Sequence, residues 1–418
     1  ISFNVVGMEK NPGFKLTISL AEKLLKAMVL ADLLQKMLYK NRAYEKNKGE
    51  TDKLFAEWME KAKKLAIKSS AKEFSKGISQ IVEDFEKIEW DTSVEKPKVG
   101  IVGEILIKYH PFGNNYVADL LEKEGAEVIL PEFMGFVKFM ATHKITFNTL
   151  LNTNKTSAKI SKIAINLIDL LEKDVKTALS NSKKGYMMPC DIWHLEEQVK
   201  DVLSIGNQTG EGWFLTAEMI EYIENDIPNI VCVQPFACLP NHVVGKGVIK
   251  TIREKYPDAN ISPVDYDPGA SEVNQANRIK LLMTVAKDNL KKKESEINEK
   301  KITMIWVLLA FILLTVWAMS QPFHAGPDEE MRYLVADYIY SNHGALPRGD
   351  DSAIRNATWG ISYAYYPILS YMISAAFMGV ASIFGASGIA LLRAARMADV
   401  LFVTCAVYFL VKASGKLF

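Results

Sequence analysis

Residues 302–319, ITMIWVLLAFILLTVWAM, carry no charged side chain. A helix of about 20 such residues has the length that crosses the ~30 Å hydrocarbon layer of a bilayer. The competing reading, a core helix of a globular domain, fits poorly, because such helices rarely exclude polar residues from the whole circumference. The run divides the chain in two. Charges are dense before residue 301 and thin after it, a gradient hidden by the overall net charge of +1. That balance gives no reason to expect a nucleic-acid partner.

A second span is expected at about 361–384, where Tyr363, Tyr365, Tyr366 and Tyr371 mark a headgroup level. A third apolar run covers about 398–411. Lys291, Lys292, Lys293, Lys300 and Lys301 precede the first span, and Arg393 and Arg396 lie between the second and third. The positive-inside rule puts both groups in the cytoplasm. The loop at 320–360 then faces outward, and the amino-terminal lobe is cytoplasmic. Membrane lipid is the expected partner of residues 302–418, with 291–301 as a charged linker. The chain starts at Ile1 rather than Met and stops at Phe418 inside an apolar run, which reads as a fragment.

In the outer loop, His324, Asp328, Glu329 and Glu330 cluster directly after the first span. Paired carboxylates at a membrane surface can bind a divalent cation or act as a general base. The alternative is a solvated loop in which Asp328 caps a short helix. PFHAGPDEEMRY, an amphipathic stretch and HGALPRGDD together resemble the first outer loop of multi-span membrane glycosyltransferases of the GT-C type. The resemblance covers about 302–418. It implies that an acidic residue here serves metal binding or catalysis with a lipid-linked sugar donor, at the matching positions Asp328 and Glu329. Such enzymes have many more spans than three, so the piece reads as an amino-terminal part, inactive by itself.

Residues 1–96 read as a helical arm. Leu16, Leu20, Leu24, Met28, Leu34 and Leu38 form a broad apolar stripe after the turn signal Asn11–Pro12–Gly13, and 53–68 and 71–88 repeat the pattern. From Lys98 the period changes. Strands are predicted at 98–104, 127–130, 229–233 and 260–265, with helices at 114–124, 244–255 and 272–287 and a helical insertion at about 132–225. Strand–helix alternation over 97–290 predicts an α/β fold, a parallel sheet flanked by helices, with the helical arm before it and the transmembrane helical segment after it. Ligands of such sheets sit at the carboxyl ends of the strands. Glu104, Glu132, the loop 234–242 (QPFACLPNH) and the loop 265–272 (DYDPGASE) follow those ends.

Four cysteines are too few and too scattered for a disulfide scaffold, and no CxxC pair suggests a zinc ribbon. Cys238 lies in a strand-end loop between Pro235 and Pro240. A thiolate there can ligate iron or zinc or attack a carbonyl; the other reading is a small residue in a tight turn. Cys190 sits in a loop and reads as a buried thiol or a second ligand. Cys232 reads as core and Cys405 as packing. The glycine-rich stretch Gly206, Asn207, Gln208, Thr209, Gly210 precedes a helix and is either a structural turn or a ligand loop offering backbone amides. It matches neither a phosphate-binding nor a dinucleotide fingerprint. His242 is a candidate base or ligand, or a capping residue. Asp265, Asp267 and Glu272 suit either a cation or a helix amino terminus.

The stretches NPGFKLT (11–17), VGIVGEILIKYHPFGNN (99–115), GNQTGEGWFLTAEMIEYIE (206–224), PNIVCVQPFACLPNHVVGKGVIK (228–250) and VDYDPGASEVNQANRIKL (264–281) together resemble the carboxyl-terminal region of the large activase-related proteins of the 2-hydroxyacyl-CoA dehydratase family. The resemblance covers about 1–290. It implies ATP-driven, low-potential electron delivery to an acyl-CoA substrate through an iron–sulfur cluster, with Cys238 as thiolate ligand and Cys190 as a weaker second. Two cysteines do not complete a cluster, so remaining ligands are expected from a second subunit, from an activase region that precedes this sequence, or from non-cysteine residues. A membrane piece is foreign to that family, so the junction reads as a fusion.

Overall fold

The computed structural model describes residues 17–267, 269–323, 328–355, 360, 362–365 and 368–414. His324, Tyr366, Pro268 and all of NPGFKLT except Thr17 lie outside the described residues. The chain divides into two units, Ile1–Leu290 and Lys291–Phe418. It is mostly helical, with one small parallel four-stranded sheet, and so is not a clear α/β fold as a whole.

The first unit opens with three helices, α1 (Ile18–Tyr44), α2 (Glu50–Lys68) and α3 (Ala71–Glu86). Side chains satisfy two of their amino termini. Thr17 Oγ1 accepts from Leu20 N at 3.2 Å, and Ser70 with Glu73 forms a capping box. Their apolar stripes meet: Leu30, Leu33, Leu34 and Met37 of α1 share a core with Trp58, Phe74, Ile78, Ile81 and Phe85.

Then follow β1 (Lys98–Gly103), α4 (Ile105–Tyr109), α5 (Val117–Lys123), β2 (Glu127–Ile129), α6 (Phe133–Leu151), α7 (Lys155–Ser180), α8 (Ile192–Val199), α9 (Gly212–Glu224) and β3 (Asn229–Gln234). The set continues with α10 (Leu239–Asn241), which runs into a π turn at His242–Lys246, then α11 (Ile249–Lys255), β4 (Asn260–Asp265) and α12 (Glu272–Ser320). The strands lie in the order β2-β1-β3-β4, all parallel.

Period-two alternation sorts the strand side chains onto two faces. Val99, Ile101, Val231, Val233 and Val264 pack with Leu121 of α5 and with Ile279, Leu282 and Met283 of α12. Val102, Ile230, Cys232 and Ile261 pack with Leu215, Met219 and Tyr222 of α9 and with Ile252 of α11. Gly100 belongs to the second face because the Tyr222 ring lies where its Cβ would stand, at 2.3 Å. The predicted helix 114–124 is α5, which starts at Val117 after a turn that holds Asn115 and Tyr116 at φ 49 and 55. α9, expected within the helical insertion, instead covers the sheet directly.

The second unit contains the end of α12, then α13 (Glu329–Ser341), α14 (Leu369–Ile383) and α15 (Ile389–Ser414). α12 and α15 are long and apolar enough to cross a membrane, judged by length and composition. Residues 291–301, expected as a linker, are helical within α12. α14 is shorter than the predicted second span. Its 15 residues reach about 22 Å, less than the hydrocarbon thickness. α15 starts earlier than the expected third run and takes in Arg393 and Arg396. Val335, Ala336 and Ile339 of α13 pack on Tyr371, Ala375 and Met378 of α14.

Candidate functional site

Two places collect the polar side chains. The first is the carboxyl end of the sheet. Gly103 ends β1 at φ +136, and a Cβ there would stand 1.9 Å from Val233 O. Only glycine lets β1 and β3 approach this closely while the chain turns. Glu104 N then donates to Val233 O at 2.9 Å, and Glu104 Oε2 accepts from Ile107 N at 2.7 Å, capping α4.

Glu211 ties three loops together. Its Oε1 accepts from Ile105 N at 3.0 Å, and its Oε2 accepts from Asn241 Nδ2 at 3.0 Å. The same amide donates to Cys238 Sγ at 3.0 Å. Beneath them Lys108 Nζ donates to both oxygens of Glu218, at 2.8 and 3.0 Å, with both residues 2 % exposed. Gln234 Nε2 joins the ends of β3 and β4 by donating to Asp265 Oδ1 at 2.7 Å. Among the described residues several buried polar atoms here have no partner: Gln208 Oε1, Gln234 Oε1, Asn241 Oδ1, Trp213 Nε1 and His242 Nε2. Buried polar atoms are nearly always hydrogen-bonded, so a group of unsatisfied ones marks a place for a ligand or water.

The glycine-rich loop bends back on itself. Gly212 N donates to Thr209 O and Trp213 N to Asn207 O, at 3.1 and 2.8 Å, while Gly206 N donates to Ser204 Oγ at 3.2 Å. Gly210, at φ +63, packs against Pro240. The buried Glu211 carboxylate adjoins this loop and opposes a second anion, so the loop suits a neutral or cationic group better than a phosphate. Glu132, which follows β2, starts α6 and pairs with Lys36, and it lies near enough to raise the Glu218 carboxyl.

The cysteines separate by environment. Cys190 is 6 % exposed, and its Sγ fills the space where a Cβ on Gly135 would stand. Burial pushes its thiol well above the usual range despite nearby Lys138, as befits a thiol packed in the core. Cys232 lies on the sheet face, pushed up to about 12 by burial. Cys238 is half-buried and is the one cysteine of the first unit that reaches the strand-end loops. Among the described residues no group of three or more His, Cys, Asp or Glu is placed to hold a metal ion.

The second place lies in the second unit, where a cavity of about 870 Å³ opens among α12, α13, α14 and α15. Glu329, Arg332, Ser374, Arg396 and Asp399 line it together with the apolar Leu314 and Trp317. Arg396 is fully engaged. Its Nε and Nη2 meet Glu329 Oε1 at 2.6 Å, Nη1 donates to Ala318 O and Gln321 O at 2.8 and 2.7 Å, and Nη2 to Pro322 O at 3.0 Å. Ala318 O lies in the last turn of α12 and the other two carbonyls follow its end at Ser320, where a cation is favourable. Arg396 thus lies level with the start of the loop. The charge rule had placed it on the opposite side; its charge instead closes a helix end. Among the described residues Glu329 Oε2 is buried and unpartnered.

Asp328 occupies the cap position of α13 at φ +57, yet its side chain makes no capping bond. It accepts instead from the hydroxyl of Tyr363 at 2.5 Å, and Tyr363 lines the cavity. Glu329 thus lines the cavity, and Asp328 is joined to its wall through Tyr363. Sequence reasoning missed Arg396, Asp399 and Tyr363 there, and Lys108, Glu211, Glu218 and Asn241 at the strand ends. The signal for Arg396 and Asp399 was present, since charges inside an apolar run are costly unless they have a task. No family model, curated protein or solved structure matches the chain.

Proposed function

We propose that residues 302–418 are part of a membrane glycosyltransferase of the GT-C type, and that the 870 Å³ cavity receives its lipid-linked donor. The observation that supports this reading is that Glu329, held by Arg396, lines this cavity and that Asp328 is joined to its wall through Tyr363. A cavity with apolar walls and a few convergent polar groups is the form a small-molecule site takes. In this reading α12 and α15 cross the bilayer, and the amino-terminal unit is cytoplasmic. The Asp328 carboxylate, oriented by Tyr363, takes the proton of an acceptor hydroxyl, while Arg396 holds Glu329 in place. The test is binding of a fluorescent polyprenyl-phosphate sugar to the purified chain in detergent. Ser374→Trp, which fills the cavity, should abolish binding; a chain that binds no such lipid overturns the proposal.

A second reading concerns residues 17–290, an α/β domain of the 2-hydroxyacyl-CoA dehydratase type acting on an acyl-CoA. It is favoured by Cys238 at the parallel strand ends, beside unsatisfied Gln208, Gln234 and Asn241. This chain supplies one thiolate, and the other ligands of a cluster come from a partner subunit. Anaerobic reconstitution with iron and sulfide, alone and with the purified partner, tests it. Cys238→Ser should remove iron and Cys190→Ser should not; equal iron in both variants, or none with the partner, overturns it.

A further inference from the structure

The hairpin of α6 and α7 has an apolar face that none of the described residues covers. On α7, Ile160, Ile163, Leu167 and Leu170 recur at helical spacing and are 62, 59, 54 and 64 % exposed. On α6, Met140, Phe147, Leu150 and Leu151 are likewise exposed. Both helices already bury another face. Met134 and Phe139 of α6 and Ile165, Ile168 and Val175 of α7 enter the core. The outer stripe is thus a second apolar face, which the fold of the unit does not require. Contiguous exposed apolar surface of this kind marks an interaction site.

Charge indicates what it meets. From 133 to 168 the chain has no aspartate or glutamate. Lys144, Lys155, Lys159 and Lys162 are exposed around the stripe, and among the described residues none of them forms an ion pair. Lys138, the remaining lysine of the stretch, is buried and committed to Asp169 and Glu172. Helices with leucine-type residues flanked by unopposed lysines lie in the boundary of an anionic bilayer, where apolar side chains enter below the headgroups and ammonium groups reach up to them. A second copy fits badly, since self-docking sets four ammonium groups against four.

We infer that the α6–α7 hairpin docks on an anionic lipid surface, with its apolar stripe below the headgroups and Lys144, Lys155, Lys159 and Lys162 against lipid phosphates and carboxylates. This docking does not depend on what the 870 Å³ cavity or the strand-end loops bind. The test is hydrogen exchange of the full chain in bicelles of phosphatidylcholine, with and without phosphatidylserine. Exchange of residues 302–319 in the same samples reports insertion of the chain separately. Amides of residues 144–163 should slow about tenfold with the anionic lipid alone, and the protection should fade in high salt. Replacing the four lysines by glutamate should remove the effect while leaving exchange in α9 unchanged. Equal exchange in both lipids overturns the inference, and so does protection that follows protein concentration, which would identify a protein partner or a second copy.

Discussion

Replacing Lys108 by methionine probes what holds the carboxyl end of the sheet together. Lys108 and Glu218 are each 2 % exposed, and the ammonium donates to both carboxylate oxygens. Burial raises the Glu218 carboxyl above its ordinary value, and Lys108 opposes that rise. Removing one partner from such a pair typically costs about 3–5 kcal/mol, because a buried charge is left uncompensated. Replacing both by methionine removes the stranded charge and should return stability to within about 1–2 kcal/mol of the parent. In Lys108→Met the carboxyl rises further and stays protonated in the folded state while it ionises in the unfolded chain. The folded state then binds more protons, so the defect grows as pH rises above the ordinary carboxylate value. The double variant should show no such trend. Urea titration of the full chain in detergent, read by proteolysis of the amino-terminal unit, measures all three proteins. A cost below about 1 kcal/mol for Lys108→Met, or a double variant as unstable as the single one, would refute the reasoning.

Glu221 is pushed up to about 8 by burial and by the neighbouring Glu132 and Glu218, from an ordinary 4.5. Its folded form keeps the proton longer, so this group's stabilising share is complete below about 4.5 and is lost as pH climbs to 8. Glu221→Gln should flatten the stability profile across that window, and parallel profiles would count against the assignment. Gly103→Ala forces a Cβ into Val233 O and should cost about 3 kcal/mol or more, whereas Gly113→Ala, with its nearest contact at 3.4 Å, should be tolerated; equal melting of the two variants would contradict the geometry. Arg396→Gln should lower the thermal stability of the second unit by about 2–4 kcal/mol, while Arg393→Gln, exposed, should change little; matched effects would show that the helix-end contacts carry no weight. Native alkylation read by mass spectrometry should modify Cys238 and spare Cys190 and Cys232 until unfolding, and early labelling of Cys190 would contradict its burial.

Much of the architecture was legible. The shift from helical to strand period at Lys98 located β1, and the run at 302–319 lies within α12. Boundaries were less legible, because local pattern does not say where a helix stops. Apolar character extends over 361–384, yet α14 begins only at Leu369. Cys190 had the same residue type and the same loop setting as Cys238. Only packing against Gly135 and Phe214 made one a core atom and left the other at the strand ends.

The order of residues alone determined which segments are apolar and with what period, since that depends on transfer of each side chain out of water and on the geometry of the element it joins. It also determined that 133–168 would be free of acids and that Gly103 could take a positive φ. Tertiary structure decided the pairings. Lys108 meets Glu218 across 110 residues, Glu211 meets Ile105 across 106, and Arg396 meets Glu329 across 67. No local rule carries those contacts. A buried charge or amide needs a partner wherever the folded chain supplies one, and parallel strands bring remote loops to the same end of the sheet.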